Sequence, residues 1–262
     1  MLLTIDIGNT NTVIGVYDGE SLVDHLRIES RRSATEDEYG ALVLTLLERR
    51  GMGAGQIQDA IIGSVVPPLT EVFASLCRRW LHVTPVVVGP GVKTGMPILY
   101  ENPREVGADR IVNAIAAYAR AGRETIVVDF GTATTFDVIS PRGEYLGGVI
   151  VPGIGISADA LFARASKLPR VEIARPDKVI GRTTTTAMQS GLVFGYVGLV
   201  EGLVQRIAAE LGSQPHVIAT GGLAPLIASE TDTIDEVDAF LTLDGLRMVW
   251  RRNKDGGRGA AA

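Results

Sequence analysis

Three aspartates stand where this sequence could do chemistry. Asp6 opens the stretch Asp6-Ile7-Gly8-Asn9-Thr10-Asn11-Thr12, Asp129 opens Asp129-Phe130-Gly131-Thr132-Ala133-Thr134-Thr135, and Asp109 lies between them in Gly107-Ala108-Asp109-Arg110. The first two stretches share Asp, Gly and a final Thr at the same offsets. Each follows an apolar β-branched run and precedes another, which predicts a hairpin. A carboxylate at the strand end, a glycine that lets a group approach the backbone, and side chains able to donate hydrogen bonds together suit a phosphate. The metal that accompanies a phosphate needs an oxygen ligand such as Asp6, directly or through water. One such turn is equally an ordinary polar hairpin, since Asn, Asp and Gly serve turns everywhere. Two of one pattern, heading two similarly ordered halves, are what a symmetric nucleotide cleft between domains needs.

Gly107-Ala108-Asp109-Arg110 opens a predicted helix over 109–121. A carboxylate beside helix N-terminal amides is expected to stay ionised at neutral pH. It can then accept a hydroxyl proton during phosphoryl transfer. Arg110 offers a planar fork for a substrate carboxylate. The same residues also fit a plain helix cap followed by an arginine on a solvated face.

The elements that must position these groups repeat. Strands are expected at 2–5, 12–17 and 22–28, then a helix over 34–50 with a Thr35/Glu38 capping box and a stop at Gly51. A strand at 60–66, a helix opened by Pro67 and Pro68 through Trp80, and a strand at 83–88 complete the first half. The loop 89–107, with Lys93, Tyr100 and Arg104, is long enough to suggest a binding loop. After the helix ending at Gly122, strands at 125–129, 135–139 and 145–151 restart the pattern. Helices over 156–165 and 184–211, a strand at 216–219 and a helix over 240–251 follow. The expected fold class is α/β, two domains each with a mixed sheet opened by three antiparallel strands. The division is expected as residues 1–115 and 116–252, with 253–262 a disordered tail.

Composition narrows the function class. The 262 residues are 46% hydrophobic and 21% charged, with net charge −5. That excludes a disordered chain and offers no basic surface for a nucleic-acid backbone or an anionic membrane. A small-molecule partner is expected instead. The single cysteine, Cys77, excludes an internal disulfide or a cysteine metal cluster and fits a reducing cytoplasm. The three histidines lie far apart in sequence, without metal-ligand spacing. The N-terminus enters a strand with no basic n-region, so no secretory signal is expected. The most apolar stretch, 192–204, reads as too short to span a bilayer and contains Glu201.

The double hairpin resembles the actin, heat-shock chaperone and sugar kinase superfamily of duplicated ribonuclease-H-like domains. No Walker A sequence occurs. More narrowly, four motifs in the right order resemble those of type III pantothenate kinases. They are Asp6 to Thr10, Gly107 to Arg110, Asp129 to Asp137, and Gly147-Gly148-Val149-Ile150-Val151-Pro152-Gly153. The resemblance implies ATP-dependent phosphorylation of pantothenate to 4'-phosphopantothenate, the first step of coenzyme A synthesis, with Mg²⁺. It implies that Asp6, Ile7, Gly8, Asn9, Thr10, Asn11, Thr12, Val13 and Thr132 hold ATP, and that Asp109 accepts the proton. Tyr100, Gly107, Ala108, Asp109, Arg110 and Thr184 would bind pantothenate, and Asp129 a monovalent cation, K⁺ or NH₄⁺. It also implies a homodimer. Two rival readings are a superfamily kinase with another small hydroxylated substrate and a catalytically silent nucleotide-binding regulator.

Two further signals compete with simpler explanations. Gly191, Gly195, Gly198 and Gly202 form a small-residue seam along the predicted helix 184–211, where each glycine costs about 1 kcal/mol relative to alanine. Either the seam packs on the sheet or it meets a second copy of the helix. Gly153-Ile154-Gly155-Ile156-Ser157-Ala158 fits a dinucleotide fingerprint with Glu172 or Asp177 as ribose partner, but the antiparallel opening argues against a βαβ unit. Thr220-Gly221-Gly222 is expected to let an adenosine approach the backbone, or simply to end a strand.

Overall fold

Alternation along β1 (Leu2–Ile7) sends Leu3, Ile5 and Ile7 into one core, leaving Leu2, Thr4 and Asp6 on the opposite face. β1 pairs antiparallel with β2 (Asn11–Asp18) and parallel with β4 (Asp59–Ser64). With β3 (Ser21–Glu29) and β5 (Val86–Val87) the sheet runs β3-β2-β1-β4-β5. The Leu3 face is covered by α1 (Glu36–Arg49) and α2 (Pro67–Trp80), whose Tyr39 and Phe73 rings meet at 4.6 Å. α1 carries the expected Thr35/Glu38 capping box, and Gly51 beyond its end has φ 78°. The expected strand over 83–88 shrinks to two residues, since only Val86 and Val87 pair with β4. Pro85 has no N–H to give the ladder, and Gly89-Pro90 turns the chain away.

The structure, a computed structural model, describes residues 1–258. It divides into one unit of Met1–Ala116 with the chain from Leu241 onward, and a second of Ala117–Phe240. The helix α3 (Ala108–Ala121) runs through the first of these junctions. The second unit builds its sheet from β6 (Thr125–Phe130), β7 (Ala133–Ile139), β8 (Tyr145–Pro152), β9 (His216–Thr220) and β10 (Glu236–Val237). Its order, β8-β7-β6-β9-β10, has the topology of the first sheet. α5 (Thr184–Leu211) lays Leu192, Val193, Tyr196 and Val200 against Ile126, Val128 and Phe136, with α4 (Ile154–Arg164) and the short α6 (Ala224–Ala228) beside them. At 28 residues α5 is the one helix among those described that is long and apolar enough to cross a membrane. It exceeds the stretch 192–204 read from the sequence, and its apolar side lies in this unit's core.

The last helix, α7 (Leu241–Arg258), corrects the expected division, which placed 241–252 in the second half. Its Leu243 and Leu246 lie where side chains on Gly15 of β2 and Gly63 of β4 would be, with Leu243 Cδ1 and Leu246 Cδ2 each 2.9 Å from those Cβ positions. By strand register the second sheet carries Asp137 and Thr220 at the corresponding places, which leave no such hollows. The Tyr17 hydroxyl donates to Asp244 at 3.0 Å, and the Arg247 guanidinium lies 5.5 Å from the Tyr17 ring centre. The disordered tail expected over 253–262 is corrected at its start. Residues 253–258 continue α7, Asn253 and Lys254 pair with residues of the first unit, and only 259–262 lie outside the described residues.

Candidate functional site

The first turn is closed by Gly8 N–H donating to Asn11 O at 3.1 Å. Ser30 N–H donates to Thr10 O at 3.0 Å, and the Thr12 and Ser30 hydroxyls bond at 2.9 Å. Asn9 and Thr10 are exposed and Asp6, Gly8, Asn11 and Val13 half-buried, while Ile7 and Thr12 are fully buried. Ile7 and Thr12 therefore offer a ligand no surface and support the turn from beneath. Arg32, unremarked in the sequence, reaches Asn9 Oδ1 with a guanidinium N–H at 3.1 Å and brings a positive charge to the turn.

Asp109 belongs to the same end of the first sheet. Val65 N–H donates to Ile7 O at 3.1 Å, and Val65 Cγ1 lies 3.5 Å from the Cβ position of Gly107. A Cβ there would collide with Asp109 Oδ1, so the glycine makes room for the carboxylate. Asp109 Oδ1 accepts the Arg110 N–H at 2.8 Å. Burial pushes the Asp109 carboxyl above its usual 3.8, against the opposing pull of the Arg110 N–H and guanidinium. The sequence expectation weighed only the helix amides; the water lost around the carboxyl outweighs them. Arg110 is 7% exposed, so the solvated-face reading of this residue is wrong. Tyr100 is half-buried in the loop that leads to α3, six residues beyond Thr94.

In the second unit Gly131 N–H donates to Ala133 O at 3.1 Å, and Gly153 N–H to Thr132 O at 3.1 Å. Strand register corrects the alignment of the two turns. Thr12 lies opposite Ile7, and it is Thr134, not Thr135, that lies opposite Phe130. The first turn is therefore one residue longer. Thr132 is exposed and Asp129 half-buried at the end of β6. Two glycines press on this turn. A Cβ on Gly153 would strike the Gly131 and Thr132 carbonyls, and one on Gly221, whose φ is 91°, would come within 2.7 Å of Asp129 Oδ1. Their bare Cα atoms let the turn's oxygens pack against them, the Asp129 carboxylate and the carbonyls of 130–132, which are of the donor type a hard cation takes. Gly153 thus serves close packing on the turn rather than a dinucleotide. Asp137, fully buried, accepts from Tyr145 Oη at 2.7 Å, and only its place in the motif hinted at it.

Thr184 is exposed at the first turn of α5, which Thr183 and Thr186 cap reciprocally. It opens on a cleft of about 1270 Å³ lined also by Ser157, Arg164, Arg182 and Tyr196. The glycine seam does not pack on the sheet. A Cβ at Gly191, Gly195 or Gly198 would meet nothing within 4 Å, and one at Gly202 only the Arg206 side chain.

Solved structures share this architecture at low identity, which speaks for the fold alone. A proposed Baf family transcriptional activator from Campylobacter jejuni matches with TM-score 0.61 and 20% identity, over 97% of this chain and 99% of that one. A proposed 2-dehydro-3-deoxygalactonokinase from Sinorhizobium meliloti matches with TM-score 0.56 and 10% identity, over 96% and 99%. The fold is a duplicated ribonuclease-H-like α/β fold. The family model of type III pantothenate kinases matches residues 2–206. Proteins named type III pantothenate kinase from Pelobacter propionicus and Myxococcus xanthus are each 59% identical, over 97% of this chain and 100% and 99% of their own. One from Geobacillus kaustophilus is 56% identical over 97% of this chain and 99% of its own. The chain belongs to the type III pantothenate kinase family.

Proposed function

We propose that this protein transfers the γ-phosphoryl group of ATP to the primary hydroxyl of pantothenate, the first step of coenzyme A synthesis. Asp109 carries the reading. A carboxyl fixed by its neighbour's N–H, given room by Gly107 and raised in pKa by burial is a better proton acceptor than an exposed one. As the hydroxyl oxygen bonds to phosphorus and the bond to the ADP oxygen breaks, Asp109 takes the hydroxyl proton. Arg110 and Tyr100, with Gly107, Ala108 and Thr184, orient pantothenate.

The turn from Asp6 to Val13, with Arg32 beside it and Thr132 from the second hairpin, binds ATP through N–H groups and hydroxyls. Asp6 would be an oxygen donor for the Mg²⁺ that accompanies ATP, which would supply charge neutralisation at the phosphates. Asp129 and the carbonyls of its turn hold a monovalent cation, K⁺ or NH₄⁺. The exposed glycine seam of α5 faces a second copy of the chain in a homodimer, and the enzyme works in the cytoplasm.

Purified protein with ATP, Mg²⁺ and K⁺ is expected to convert pantothenate to 4'-phosphopantothenate, followed by mass. ATP hydrolysis without transfer to pantothenate, or transfer to other alcohols only, would defeat the reading. The Asp129→Asn variant should lose its dependence on K⁺ while still binding ATP. Oligomeric state by light scattering tests the seam, with Gly195→Leu expected to yield monomer.

A further inference from the structure

The end of α7 is bonded to the loop that carries Tyr100. Asn253 spans one residue of that loop: its Oδ1 accepts Lys93 N–H at 3.0 Å and its Nδ2 donates to Lys93 O at 3.0 Å. The same Nδ2 donates to Val249 O at 2.8 Å, which ties the amide to its own helix. One residue earlier Arg252 donates to Thr94 O, and its guanidinium occupies the place where a side chain on Gly95 would stand. Gly95 has φ 72°, a conformation that favours glycine in any case. Lys254 pairs with Asp59 at the start of β4, which fixes the helix end against the sheet.

The other end of α7 touches α3. A Cβ on Gly245 would strike the Val112 carbonyl, so the two helix backbones meet closely one turn after Asp109. Eight residues, or about 12 Å of helix, separate Gly245 from Asn253. One rigid rod therefore abuts the helix that carries Asp109 and grips the loop that carries Tyr100. The loop is exposed for much of its length and carries short-range bonds of its own, Val92 N–H to Gly89 O, Met96 N–H to Thr94 Oγ1 and Glu105 N–H to Asn102 O.

We infer that Asn253 and Arg252 are positioning residues for pantothenate: through the main chain of residues 93–95 they hold the Tyr100 loop at a set distance from Asp109. The inference rests on the reading of Asp109 and Tyr100 as pantothenate-side residues. An amide that both accepts from and donates to one residue sets orientation as well as distance. Asn253→Asp keeps the acceptor but loses both donors and faces the Lys93 carbonyl with a like partial charge.

Full-length Asn253→Ala and Arg252→Ala variants should raise the KM for pantothenate about tenfold, each losing roughly one to two hydrogen bonds' worth of fixation. The KM for ATP and the melting temperature should stay near wild type, and Asn253→Asp, which sets a carboxylate against two carbonyls, should raise the pantothenate KM at least as much as alanine does. Amide exchange of residues 91–96 should speed up in Asn253→Ala without substrate present. Unchanged pantothenate KM in both alanine variants, or equal rises for pantothenate and ATP, would overturn the inference. So would unchanged exchange in the loop. A wild-type protein that leaves pantothenate unphosphorylated would instead defeat the functional reading on which the inference rests.

Discussion

The two units repeat one sheet order but treat their opening turns differently. The first turn has an extra residue, exposes Asn9 and Thr10, and is braced from the side by the Thr12–Ser30 hydroxyl pair. The second is shorter and clamped by Gly153, which stands where Ser30 stands in the first and donates the equivalent N–H. A side chain at Gly153 would meet the turn's carbonyls, so the clamp needs glycine. The helices that follow the last strand of each sheet also differ. α3 carries Asp109 near its start, whereas α7 begins Leu241-Thr242-Leu243-Asp244 and gives its leucines and Asp244 to packing. The sheet order is repeated, while the aspartate proposed as proton acceptor stands in one unit only. An open turn suits a ligand that enters and leaves; a clamped one suits oxygens that must hold fixed positions.

The largest test of that asymmetry is Asp109→Asn. It should lower kcat about 10²–10⁴-fold. In the wild type, kcat/KM should rise with pH through a limb lying above 3.8, and the residual activity of the variant should lack that limb. Stability moves the other way. A carboxyl with a raised folded pKa contributes stability below its unfolded pKa and loses it as pH rises through the folded value. Asp109→Asn therefore melts at or above the wild-type temperature at neutral pH. A variant with full activity would move the proton acceptor elsewhere.

Exchanging the braces comes next. Gly153→Ser, which copies the first turn into the second, should cost about 1–3 kcal/mol in urea unfolding, because backbone carbonyls must shift. Ser30→Gly should cost about 1 kcal/mol for the lost hydroxyl pair. Equal costs would mean the turns are interchangeable. The smallest effect separates the buried threonines. Thr12→Val leaves Ser30 without its partner hydroxyl and should destabilise by about 1 kcal/mol. Thr134 Oγ1 is buried without a hydrogen bond, so Thr134→Val should be neutral or stabilise by up to about 0.5 kcal/mol.

Local chemistry was legible in the sequence wherever it depends on near neighbours. The Thr35/Glu38 box, the two Asp-x-Gly turns, the long loop and the proline-opened α2 all appear with the residues expected of them. What the sequence did not reveal depends on distant partners. Amphipathic α7 has a sided pattern whichever sheet it packs on, and only Gly15 and Gly63 in three dimensions select the first. Arg110 shows its burial only once folded, and the rise in the Asp109 pKa comes from lost water, which no spacing encodes. β10 is two residues long and α6 five, too short for a period to register. The end of the chain read as a disordered tail from its terminal position, yet its first residue bonds to a loop 160 positions earlier. Matching the turns by letters alone misplaced Thr134, since an inserted residue shifts identity without shifting strand register.

The return of α7 to the first sheet also sets an order of assembly on the ribosome. The first unit is interrupted at Ala116 and resumes at Leu241, so its sheet lacks the helix over Gly15 and Gly63 until that segment has been made. The intervening unit has its whole sheet and core within one continuous stretch and can complete itself earlier. Although its strands emerge first, the half that bears Asp109 can gain its last helix only after the other unit has been made.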